Sequence, residues 1–205
     1  MMDKRMWPRL GAASGMLFVA LILSGDSALV SDGVGLVMEL FGLIFFVPFL
    51  GYLFTVLRRA EGGEGWLSAT AFGAGLIAFA LKLASAPPVI VARGGEAGSQ
   101  IEGALLAMNN ASFILTLLPL GVMVAAASAI VLTTKVLPIW LGWAGAFTAC
   151  ALLVNSAFIN AEFGLAFIFF MLWTVLTSAI LTRRAGAARS KGSTGPESVR
   201  PEPVR

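Results

Sequence analysis

Residues 66–86 read WLSATAFGAGLIAFALKLASA, an apolar run with one charge, Lys82, near its end. Its length matches the roughly 20 residues a helix needs to cross a hydrocarbon core. Five further apolar runs of similar length lie on either side, over about 10–29, 34–57, 104–133, 137–158 and 162–182. Short polar joints separate them. The expected fold is all-α: a polytopic membrane protein with six transmembrane helices in one bundle over residues 1–184.

Composition supports the same class. Of 205 residues, 58% are hydrophobic and only 12% charged, with a mean hydropathy of +0.90. A soluble domain of this size carries about twice that share of charge. No stretch is long or polar enough for a separate soluble domain. Residues 185–205, rich in Arg, Ser, Gly and Pro, read as a disordered cytoplasmic tail.

The bases set the expected orientation. With the N-terminus inside, the cytoplasmic face carries Lys4, Arg5, Arg9, Arg58, Arg59, Lys135, Arg183, Arg184, Arg189, Lys191, Arg200 and Arg205. Only Lys82 and Arg93 fall outside. This is the positive-inside pattern and places both termini in the cytoplasm. Topology and anionic headgroups then account for the basic pI, and no nucleic-acid partner is implied. The first run, with its basic start and small residues after Leu23, also has the outline of a signal peptide. Its apolar length favours a span instead.

Catalytic constellations fare poorly. SGDSAL, residues 24–29, resembles the block around the serine nucleophile of GDSL-type hydrolases, which would make Ser27 the nucleophile. That chemistry needs a histidine to accept the serine proton, and the chain has none. The lone Cys150 can form no intramolecular disulfide and lacks partner ligands for a metal. No cofactor and no metal are expected. Trp7, Trp66, Trp140 and Trp143 all fall at cytoplasmic helix ends, the level at which amphipathic rings anchor in headgroups.

WLSATAF from Trp66 and WLGWAGAF from Trp140 form an internal echo, each after a helix with an embedded proline, Pro48 or Pro119. A duplicated hairpin would place two bent helices in equivalent positions and open space between them. Composition alone would produce the same echo. The segment LPIWLGWAGAFTA, residues 137–149, and the six-span layout resemble a group of actinobacterial integral membrane proteins. They are similar also to a broader bacterial membrane family of unknown function with a Leu-Pro-x-Trp-Leu-Gly string. The resemblance implies a bacterial inner membrane and carries over no functional residue.

Polarity gathers at one end of the bundle. Counting about 20 residues at about 1.5 Å each from Trp66 puts the outer boundary near Ala86 and Lys82 about 6 Å inside it. Glu39 reaches nearly the same depth from the same side. Asp26, Asn155 and Glu162 share this layer, with Asn109 and Asn110 just beyond it. Either Lys82 snorkels to the headgroups while the others end their helices, or the set faces inward and lines an outward-opening pocket. In the second case Lys82 pairs with Glu39, because helices two and three share a short turn and pack as antiparallel neighbours.

The expected function is a small, non-enzymatic membrane protein that binds or regulates a membrane-protein partner among the membrane lipids. The alternative is a carrier of a small solute that uses the outer pocket. Orientation has a direct check: a cysteine placed at Ser99 should react with an impermeant thiol reagent on intact cells, and one at Gly192 only after lysis. Labelling at Gly192 on intact cells would reverse the topology.

Overall fold

The computed structural model of the chain describes residues 7–25, 31–93, 98–157 and 164–192. Seven helices account for nearly all of them: α1 (Trp7–Gly25), α2 (Asp32–Glu61), α3 (Trp66–Ala84), α4 (Ala86–Arg93), α5 (Ser99–Thr134), α6 (Ile139–Ala157) and α7 (Gly164–Gly192). Among the described residues, six spans are long and apolar enough to cross a membrane, α3 and α4 together supplying one of them as Trp66–Ala92. The protein is an all-α, multi-pass membrane protein.

The helices follow one another around a ring. α1 packs on α2, α2 on α3, α3 on α5, α5 on α6 and α6 on α7, and α7 closes back on α1. α5 is the most enclosed: 67% of its most apolar stretch is buried, against 33% for α1. It also reaches α2 across the ring. Phe49, Phe170, Leu117, Met123 and Leu152 are fully buried at the centre. Outward-facing Leu, Ile, Val and Phe side chains cover the rim, as hydrocarbon contact requires. Trp7, Trp66, Trp140 and Trp143 are exposed at helix starts, as a belt demands, whereas Trp173 is buried and donates Nε1–H to Leu141 O at 3.3 Å.

Close approach replaces the hydrophobic effect as the source of adhesion between helices in lipid. Gly15 of α1 meets the ring of Phe49 on α2, where an added Cβ would stand 2.6 Å from Cδ2. Gly11, one turn earlier, faces Tyr52 in the same way. At the other junction Ser178 of α7 donates its hydroxyl to Ala12 O of α1 and closes the ring.

Tight local chemistry fixes the turn between α2 and α3. Gly62, Gly63 and Gly65 all have positive φ (63°, 49° and 68°), which a side chain would strain. Arg58 Nη1 donates to Gly62 O and Gly63 O, each at 3.1 Å. The Glu61 carboxylate accepts from the amides of Leu67 (3.0 Å) and Ser68 (2.8 Å), satisfying the exposed N-terminus of α3.

Several boundaries differ from the sequence reading for physical reasons. Charged residues end hydrophobicity before they end a helix, so α2 continues through Arg58 and Arg59 to Glu61. α5 begins at Ser99, with Gly98 O accepting the amides of Ile101 and Glu102 and Glu102 in the favourable first turn. The joint between the third and fourth expected spans, residues 87–103, holds most of α4. Pro87 and Pro88 cannot donate to Leu83 and Ala84, which breaks α3 at Ser85, yet a new helix tolerates both in its first turn. α7 runs past Ala185 to Gly192, where the tail was expected to start, because Ala and Arg are strong helix formers. Residues 193–205 lie outside the described residues.

Packing at Gly15 makes a paired prediction for thermal unfolding in detergent. Gly15→Ala should destabilise by about 1–3 kcal/mol through overpacking against Phe49. Gly73→Ala, whose new methyl meets nothing within 4 Å, should be neutral or stabilising. Equal effects at the two positions would contradict the close α1–α2 contact.

Candidate functional site

Lys82 lies two residues before the end of α3, and Glu39 lies on α2 directly across from it. Nζ and Oε1 stand 2.6 Å apart, with side-chain exposures of 19% and 33%. The ammonium also sits 5.5 Å from the centroid of the Phe113 ring on α5, within cation–π range. Lys82 therefore turns toward the neighbouring helix and pairs with Glu39.

This pair forms part of the wall of a cavity of about 810 Å³. α1, α2, α3, α4, α5 and α7 all contribute to its lining, and α6 does not. Its walls change character with depth. At the end remote from the chain termini lie Glu39, Lys82, Ser85 and Asn109; further in, the lining turns to Leu43, Phe46, Phe18, Phe170 and Leu120, with Thr116 between. Thr116 already donates its hydroxyl to Ser112 O at 2.9 Å. Ligand sites commonly have this make-up, mostly apolar with a few placed polar groups, at volumes of about 300–1,000 Å³.

Aromatic rings connect the two zones. Phe113 meets Phe167 edge-on at 5.1 Å, Phe167 stacks on Phe170 at 5.9 Å, and Phe170 reaches Phe46 at 6.3 Å and Phe18 at 6.4 Å. Such pairs prefer offset and edge-to-face geometry, so each ring fixes the next. A rigid aromatic floor runs from the charged end to the middle of the bundle.

The predicted pocket residues separate into three groups. Glu39, Lys82 and Asn109 come together on the cavity wall. Asn155 is buried on α6, away from the cavity, and Asn110 is exposed one position along from Asn109. Asp26 and Glu162 lie outside the described residues. Depth counting alone missed the phenylalanines, because Phe18, Phe46, Phe113, Phe167 and Phe170 are spread over four helices with no shared spacing.

No protein-family model, curated protein or solved structure matches the chain, so the resemblance carried by residues 137–149 identifies no family.

A double-mutant cycle on Lys82→Met and Glu39→Gln measures the pair. Each single change should destabilise the bundle more than the double change does, with a coupling of about 0.5–3 kcal/mol. Additive effects would show that the two charges stabilise nothing together.

Proposed function

We propose that this protein is a non-enzymatic binding protein of a bacterial inner membrane, and that it holds an amphiphilic molecule in the cavity between α2, α3, α5 and α7. The observation that carries this reading is the gradient of polarity along the cavity. A head that needs charged or hydrogen-bonding partners fits beside Glu39, Lys82 and Asn109, while an apolar chain fits against Phe46, Phe170 and Leu120. Water in so apolar a deep end would find few partners, and a chain would gain contacts there.

A small-solute carrier is the competing use of the same cavity. Passage would require a second opening toward the chain termini, where Leu57, Ile130, Leu137 and Leu181 are fully buried. That packing favours holding a molecule over passing one. A bound amphiphile would serve regulation if its presence altered the lipid-facing surface offered to a membrane-protein partner.

Ala78 is 2% exposed and borders the cavity, so Ala78→Phe should fill part of it. Native mass spectrometry of the detergent-purified protein should show one chain-bearing molecule per protein, depleted at least fivefold in Ala78→Phe. Leu43→Trp should act in the same way, with both variants melting within a few degrees of the parent. Equal retention by parent and both folded variants would remove the cavity from consideration.

A further inference from the structure

We propose that the head of the bound molecule is a zwitterion, one ammonium and one phosphate or carboxylate, read by Lys82 and Glu39 acting as a pair; this rests on the amphiphile reading above. The two side chains stand on adjacent helices and their charges cancel. Their 2.6 Å contact engages Oε1 of Glu39 and one of the three N–H donors of Lys82. Among the described residues, Oε2 of Glu39 takes no partner, and the other face of the ammonium has only the Phe113 ring at 5.5 Å. The pair therefore keeps one acceptor and two donors for a ligand.

Charge balance then selects among heads. An anionic head on Lys82 would leave the site with a net negative charge beside an apolar cavity. A cationic head on Glu39 would leave a net positive charge there. Both carry the penalty of an uncompensated charge in partly desolvated surroundings, since Lys82 is 19% and Glu39 33% exposed. A head with both charges places its ammonium on Oε2 and its anion on Nζ, closing a ring of four alternating charges with no excess. Asn109, on the same wall, adds an amide that can both donate and accept. The head would sit near the end of α3, on the side remote from the chain termini, and its chain would follow the aromatic floor inward.

The test uses the full-length protein in maltoside micelles, with binding followed by native mass spectrometry and thermal shift. Four probes separate head from chain: lysophosphatidylethanolamine, lysophosphatidylglycerol of equal chain length, the matching alkylammonium, and glycerophosphoethanolamine, whose phosphodiester keeps the single negative charge but carries no chain. Lysophosphatidylethanolamine should bind one per protein and at least tenfold more tightly than either singly charged amphiphile. Glu39→Gln and Lys82→Met should each erase that preference. The charge swap, Glu39→Lys with Lys82→Glu, keeps the pair and should hold the preference within about threefold even if the single variants fold poorly. Equal binding of all three chain-bearing probes would overturn the zwitterion and leave the amphiphile reading standing. Failure of every probe would overturn both. Glycerophosphoethanolamine binding as tightly as the lysolipid would support recognition of the zwitterion while assigning it to a soluble source, against the amphiphile reading.

Discussion

A backbone amide in hydrocarbon finds no hydrogen-bond partner outside its own chain, so a polypeptide that crosses a bilayer must satisfy its peptide groups internally. Six helical spans answer that demand here, and the rest of the architecture follows from how such helices can adhere. Lipid tails are as apolar as leucine, which leaves close contact and a few polar links to hold the bundle. Gly15 against Phe49, Ser178 against Ala12 O and Trp173 against Leu141 O are links of this kind. They join neighbours around the ring and leave space inside it wherever side chains cannot fill the middle.

The α2–α3 hairpin is fixed at both ends by charge. Near the turn, Arg58 and Glu61 satisfy loop carbonyls and the first amides of α3. At the far end, Lys82 and Glu39 meet across the two helices. An ion pair in such surroundings adds little net stability, but loss of one partner is strongly unfavourable. The pair therefore acts as a constraint on geometry more than as a source of stability: it holds a polar edge at a defined place beside an apolar cavity. The cavity also lies where prolines interrupt backbone bonding. Pro48 follows the last lining residue of α2, Phe46, and Pro119 immediately precedes the last lining residue of α5, Leu120.

The six spans were legible because a run such as 66–86 has few other stable fates than a membrane helix. The Lys82–Glu39 pair was legible for a related reason: helix rise converts residue number into depth, and a short turn makes two helices neighbours. Depth does not give facing. Asn109 and Asn155 both fall near the polar end by residue count, yet one borders the cavity and the other is buried on α6. The phenylalanine lining was hidden because, in a chain this rich in apolar residues, a ring facing a cavity and a ring facing lipid have the same local sequence context. Phe41 and Phe46 stand on one helix, the first 55% exposed and the second buried in the cavity wall. Helix α4 was hidden behind Pro87 and Pro88, which mark a break in one helix and, equally well, the first turn of the next.

Two opposite charges meet inside the bundle at the polar end of an apolar cavity, and the whole site depends on that contact. Solid-state NMR on the protein in bilayers, labelled with 15N at lysine Nζ and 13C at glutamate Cδ, reads that contact directly. Lys82 and Glu39 should give a strong 15N–13C dipolar correlation that Glu39→Gln abolishes. A Lys82 ammonium that correlates with water protons and with no glutamate carboxylate would contradict the account and return the residue to the headgroup surface.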